Sequence, residues 1–157
     1  MKKYGLIGKS LSHSFSKKYF NSFFSENNID AVYDEFEIPK IELLTNVLNE
    51  NNLSGLNVTI PYKEIIIPFL DELSLEAKEI GAVNTIKITN GKRIGYNTDA
   101  FGFHQSIKPF LTKHHDKAII FGTGGASKAV AYVLKKNFII MKTWYITQLY
   151  LPFLLAL

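Results

Sequence analysis

Cysteine is absent from the 157 residues, which excludes disulfides and thiolate metal sites and fits a reducing cytoplasm. Long runs of one charge are absent as well. Charged residues make up 20% of the chain and the formal net charge is +4. The lysines cluster only as pairs, Lys2-Lys3, Lys17-Lys18 and Lys135-Lys136, and not as the stripe that tracks a nucleic-acid backbone. A mild positive field suits an anionic substrate or a phosphorylated cofactor, and solubility explains it equally well. No internal repeat or low-complexity tract is present. Met1-Lys2-Lys3 leads directly into the strand-like Tyr4–Gly8 with no signal-peptide core, so a cytoplasmic protein is expected. The adjacent His114 and His115 point in different directions with no third ligand nearby, so no metal site is expected. What is there is a 46% hydrophobic, globular chain, long enough for one ordinary domain or for a small domain and part of a second.

The stretch Gly55–Glu64, GLNVTIPYKE, is the most informative. Leu56, Val58 and Ile60 alternate with Asn57 and Thr59, as in a half-buried strand. Pro61 cannot donate to a strand ladder and suits the first turn of a helix, so the strand is expected to end there, with Lys63 on the opening turn. An amide, a hydroxyl and an ammonium then converge at one strand end, a set able to grip a polyhydroxylated small molecule. In the bland alternative, Lys63 is a solvated helix residue and Thr59 an ordinary strand residue.

Around it, residues 3–8 read as a first strand running into a turn with four serines in seven residues, Ser10 to Ser16. Ser14 or Ser16 would cap the helix expected over 17–27, whose apolar face is Tyr19, Phe20, Phe23 and Phe24. Four serines exceed what a cap needs, and free hydroxyls and amides at a helix start suit a carboxylate. Ala31–Ile38 reads as a strand, and Pro39 is expected to open a helix to about Glu50. A helix over Ser74–Ile80 precedes Gly81-Ala82-Val83-Asn84-Thr85. Two strands flank the turn pair Asn90-Gly91, a hairpin signal. Asn97-Thr98-Asp99 begins a further helix, where Asp99 can serve as its N-cap and Asn84 as a turn residue.

Thr112–Lys117 is the candidate junction between a domain over 1–112 and a second unit over 113–157. Ala118–Phe121 is a short apolar strand, Gly122-Thr123-Gly124-Gly125-Ala126-Ser127 a glycine turn, and Lys128–Lys136 a helix. Strand, glycine turn and helix start are what a dinucleotide pyrophosphate needs: close backbone approach and free amides. Phe138–Met141 would be the next strand. The acidic residue or arginine that a dinucleotide unit offers about 20 residues after its glycines does not appear. Residues 137–157 are apolar with Lys142 their only charge. The length of 138–157 is near a minimal membrane span, but Thr143, Thr147, Gln148 and Pro152 interrupt it, so membrane association is a minor alternative.

Together these stretches resemble the shikimate dehydrogenases. The match lies in Ser12–Ser16, Asn57–Glu64, Gly81–Thr85, Asn97–Gly102 and Gly122–Ser127, in the family's order, and covers roughly residues 1–136. The resemblance implies an α/β protein, an N-terminal α/β substrate-binding domain followed by a Rossmann-type dinucleotide-binding domain, with substrate in the cleft between them. It implies reversible, NADPH-dependent reduction of 3-dehydroshikimate to shikimate, on the route to chorismate and the aromatic amino acids. By motif position, Ser14 and Ser16 would hold the substrate carboxylate, Thr59, Asn84 and Asp99 its hydroxyls, and Asn57 would support the strand end. Lys63 would be the acid/base residue, paired with Asp99, and Gly122, Thr123, Gly124, Gly125, Ala126 and Ser127 would hold NADP. A quinate dehydrogenase is the nearest alternative, and a shikimate-binding module without turnover a further one. Family members are longer, so the resemblance implies a cofactor domain that is cut short. Oligomeric state is not indicated.

Overall fold

The computed structural model describes residues 1–137 and 139–144; what was expected of 145–157, membrane association included, lies outside them. The chain is α/β, with a six-stranded mixed sheet and a two-stranded parallel sheet. In the large sheet, β1 (Lys2–Gly8) lies between β2 (Ala31–Glu37) and β3 (Gly55–Val58), both parallel to it. The antiparallel hairpin of β5 (Thr85–Thr89) and β6 (Lys92–Tyr96) follows, and the two-residue β4 (Glu72–Leu73) closes the edge. The hairpin turns through Asn90 (φ 52) and Gly91 (φ 75), the positive-φ pair that matches strand twist and selects Asn-Gly.

Alternation decides the two faces. Ile7, Leu56, Val58 and Ile86 share a core with Tyr62 and Ile66 and with α2 (Leu44–Asn51). Leu44 of α2 is 0% exposed, and its burial contributes about 1.5–3 kcal/mol. On the opposite face Leu6, Leu11 and Tyr33 pack against Phe20 and Phe24 of α1 (Ser16–Glu26). Tyr19 and Phe23, expected on the same apolar face, are exposed.

Several expected boundaries move. β3 ends at Val58 and Ile60 is 75% exposed. After Thr59 donates to the Ile7 carbonyl (2.9 Å), its own carbonyl takes the Tyr62 amide (2.9 Å), turning the chain at Ile60 and cis-Pro61. The short α3 (Tyr62–Ile65) starts just after that proline. Pro39 does not open a helix: Lys40 is extended, and a 3-10 turn at Ile41–Leu43 leads into α2. Ile38 is held by Gly8 on its amide and by the Tyr62 hydroxyl on its carbonyl (2.9 and 2.5 Å), just before the chain bends at Pro39 and Lys40. Neither serine is the N-cap of α1; Phe15 is, while the Ser14 hydroxyl accepts from the Ser16 amide (3.2 Å). Ser74 does cap α4 (Leu75–Ile80), accepting from Ala77 at 3.2 Å, and Gly81 (φ 71) ends that helix.

Helix α5 (Asp99–Ile107) leads through an exposed loop to β7 (Lys117–Phe121), α6 (Gly125–Lys136) and β8 (Ile140–Trp144). β7 and β8 pair in parallel, a β-α-β unit. α6 begins three residues earlier than expected, because Gly124 is already extended (φ −78, ψ −179) and the Ser127 hydroxyl closes the first turn on its carbonyl (2.7 Å). Ala129 and Val133 of α6 pack on Ile80, Ala82 and Ala100, joining the unit to the large sheet's helices. Among the described residues no helix is long and apolar enough to cross a membrane.

Candidate active site

The topology gathers one edge of the large sheet. β1 and β3 run toward it, so the serine turn follows β1 there, and Thr59 and Lys63 follow β3. β5 is antiparallel to β3 and starts at that edge, with Asn57 opposite Thr85; β6 returns to it, with Tyr96 opposite Thr85. Asn84 and Asp99, far apart in sequence, therefore meet beside Lys63. Carboxyl ends of parallel strands are where α/β sheets bind ligands.

Lys63 Nζ donates to Asp99 Oδ2 at 2.6 Å, with the two side chains 16% and 31% exposed. Asp99 is not the N-cap of α5 but its first residue, the N-cap being Thr98; buried Asn97, one residue earlier, accepts from the Ala100 amide (3.2 Å) and donates to the Ala82 carbonyl (2.9 Å). The other Asp99 oxygen accepts from Asn84 Nδ2 at 2.8 Å. Asn84 is itself fixed, its Oδ1 accepting from the Thr98 amide at 2.7 Å. Asn57 Nδ2 donates to the Thr85 hydroxyl (3.3 Å) and its Oδ1 accepts from the Tyr33 hydroxyl (2.8 Å). Burial, reinforced by the Glu35 carboxylate, pushes the Tyr33 phenol well above its ordinary value of 10.0, so it stays a donor.

Thr59 is half-buried and its methyl sits against Gly8, where a side chain would lie 2.7 Å from Thr59 Cγ2. Ser14 and Ser16 are half-buried in the turn after β1, which is tied to the next strand end by Lys9 donating to the Ile60 carbonyl (3.2 Å). The edge thus combines an ammonium paired to a carboxylate, two ordered amides and several hydroxyls, a set suited to hydroxyl recognition with proton transfer.

The glycine turn opens α6 next to this edge. Gly122 (φ 118) adopts a conformation that favours glycine, and nothing lies within 4 Å of where a side chain at Gly122 or Gly124 would project. This open cradle, with first-turn amides that have no intrahelical acceptor, fits a pyrophosphate. Gly125 differs: it is buried, and a methyl there would lie 2.7 Å from Lys63 Cβ and 3.1 Å from Ala82 Cβ.

Residues 6–86 match the family model described as the shikimate dehydrogenase substrate binding domain. The chain belongs to this family. It is 46% identical over 136 residues to the shikimate dehydrogenase (NADP(+)) of Pyrococcus abyssi, a match covering 87% of this chain and 52% of the relative. The solved Thermus thermophilus shikimate 5-dehydrogenase in complex with NADP(H) and shikimate is 32% identical, with a TM-score of 0.82 over 94% of this chain and 57% of that one. A quinate dehydrogenase from Corynebacterium glutamicum in complex with NAD is 30% identical, with a TM-score of 0.79 over 92% of this chain and 55% of that one. The chain spans about half the length of the curated relatives it matches.

Within this shikimate dehydrogenase-type domain, some contributors carry no local signal in the sequence. Tyr33 reads as an ordinary strand residue, yet its hydroxyl holds Asn57 from 24 positions away. Thr98 and Thr85 lie inside the recognised motifs, and their hydroxyls link Asn84 to Asn57.

Proposed function

We propose that the chain carries the substrate site of a shikimate dehydrogenase and acts on 3-dehydroshikimate and shikimate with NADP as cofactor. The supporting observation is the 2.6 Å Lys63–Asp99 pair, whose carboxylate is also held by Asn84. Residues 1–112 form the substrate-binding domain and residues 113–157 contribute to the cofactor-binding unit. Ser14 and Ser16 hold the substrate carboxylate, while Thr59, Asn84 and Asp99 take its hydroxyls. Asn57, fixed by Tyr33 and Thr85, supports the end of β3. NADPH, when bound, supplies the hydride that reduces the substrate carbonyl. Gly122, Thr123, Gly124, Gly125, Ala126 and Ser127 form the cradle for its pyrophosphate. Lys63 gives the carbonyl oxygen its proton in the reductive direction and takes the hydroxyl proton in the oxidative one; Asp99 fixes the ammonium in place. The reaction belongs to chorismate and aromatic amino-acid biosynthesis, in the cytoplasm.

The test uses one purified sample. Shikimate binding is measured by calorimetry and NADPH oxidation with 3-dehydroshikimate by absorbance. Lys63→Ala is expected to lower turnover by about 10²–10⁴, the usual contribution of a general acid/base, with shikimate affinity changed far less. Turnover within a few-fold of the parent removes Lys63 from the role. Binding without NADPH oxidation in the parent favours a binding module. Likeness to the quinate dehydrogenase supports a second substrate reading, decided by titrating quinate beside shikimate.

A further inference from the structure

We propose that Gly125 is a positioning residue for Lys63: the first turn of α6 seats directly on the lysine's stem and holds its ammonium against Asp99. This rests on the acid/base reading of Lys63. The dinucleotide fingerprint G-x-G-x-x-[small] is met by Gly122, Gly124 and Ser127 and makes no demand for glycine at 125. The demand comes from across the edge. A methyl at Gly125 would stand 2.7 Å from Lys63 Cβ and 3.4 Å from its Cδ, where unstrained carbons keep about 3.5–4.0 Å.

The lysine cannot retreat. Its carbonyl accepts from the Val83 amide at 2.7 Å, and Cβ moves only with that backbone. Ala82 closes the other side, with its Cβ 3.1 Å from the same point. One turn further along α6, Lys128 pairs with Glu64, the residue after Lys63, and Tyr132 donates to Glu79 of α4 at 2.9 Å. α6 is therefore fastened to the residue after the lysine and to α4, and any larger residue at 125 must lift the helix or displace Lys63. The turn that offers amides to a pyrophosphate is thus the turn that orders the acid/base residue, so the cofactor loop and the lysine move as one body.

The experiment measures the acylation rate of each lysine amine by mass spectrometry, in the full chain without substrate, together with thermal melting and shikimate affinity. Gly125→Ala should raise Lys63 acylation by about threefold or more, as local opening frees the amine, and weaken shikimate binding. Exposed Lys117 should be unchanged. Gly124→Ala adds the same methyl at the neighbouring position, where it faces open space, and should leave Lys63 at the parental rate. Should Gly125→Ala fail to fold, Glu64→Gln loosens the same seat without adding a heavy atom and should raise Lys63 acylation with Lys117 unchanged. Equal Lys63 rates in Gly125→Ala and the parent, or in Glu64→Gln and the parent, overturn the proposal. Because acylation needs neither substrate nor turnover, a positive result here beside an active Lys63→Ala enzyme would reject the catalytic role alone.

Discussion

Replacing Asp99 by asparagine keeps the shape of the side chain and removes its charge. Both partners of the carboxylate are donors: Lys63 Nζ at 2.6 Å on Oδ2 and Asn84 Nδ2 at 2.8 Å on Oδ1. An amide has one acceptor oxygen, so whichever way it turns, one donor faces another donor. Asn84 cannot flip to compensate, since its Oδ1 already takes the Thr98 amide at 2.7 Å. A hydrogen bond to a charged group is worth about 1.5–3 kcal/mol. A fully exposed pair would give about 0–1 kcal/mol, and breaking a fully buried one about 3–5 kcal/mol. With Lys63 16% and Asp99 31% exposed, Asp99→Asn is expected to cost about 1.5–3 kcal/mol, or roughly 3–12 °C in melting temperature for a chain of this size. Urea and thermal unfolding measure this directly. Lys63→Met, which keeps the stem and removes the ammonium, completes a double-mutant cycle whose coupling should reach about 1 kcal/mol. An Asp99→Asn protein within about 0.5 kcal/mol of the parent, with no measurable coupling, refutes the reasoning.

Acid should weaken the fold through two other carboxylates. Hydrogen bonds from the Arg93 side chain and backbone amide hold Asp71 well below its ordinary 3.8, and Lys17 lowers Asp34. Their contribution is present above the ordinary value and lost as pH falls through the depressed one. The urea midpoint should therefore be flat near neutrality and fall below about pH 4; an unchanged acid limb in Asp71→Asn/Asp34→Asn contradicts this. Tyr33 has the opposite sign: its raised phenol favours the fold below 10.0, and that contribution declines as pH rises beyond it. Tyr33→Phe, which loses the 2.8 Å bond to Asn57, should cost about 0.5–1.5 kcal/mol and soften the alkaline loss. A Tyr33 phenolate appearing at the ordinary value in absorbance titrations would count against the burial account.

Local chemistry was legible wherever it sits within a few residues. The Asn90-Gly91 turn, the helix that opens just after Pro61, the Ser74 cap and the glycine turn are each decided by backbone constraints of their own residues. The six-stranded order is decided elsewhere. β5 lies beside β3 because Leu56 and Ile86 share a buried face, a pairing that motif order alone does not specify. The Ile38 carbonyl just before Pro39 is taken by the Tyr62 hydroxyl, a contact 24 positions long, and Ile60 leaves the core at a turn closed by Tyr62. At the site, Lys63 and Asp99 could be named as a pair only through the family resemblance. Their spacing of 36 positions carries no periodic signal.

The hydrogen bonds also sort which of the candidate site residues keep free donors and which hold the others. Asn84 has both amide protons directed at Thr98 and Asp99, and its oxygen takes the Thr98 amide. Asn57 is likewise engaged at both ends, by Tyr33 and Thr85. Asn84 can meet a substrate hydroxyl only by exchanging an existing bond, whereas Asn57 keeps a second Nδ2 proton without an acceptor among the described residues; the first effect of both amides is to hold neighbours in register. The hydroxyls of Thr59 and Ser16, by contrast, make no hydrogen bond among the described residues, and Lys63 uses one of its three donors. A polyhydroxylated acid entering the edge would therefore find free donors at Ser16, Thr59 and Lys63 and an already rigid carboxylate at Asp99. Free groups on a fixed frame lose little order on binding. Removing the Thr59 hydroxyl should accordingly act on affinity, while removing the Asn84 amide should act on stability and on the placement of Asp99.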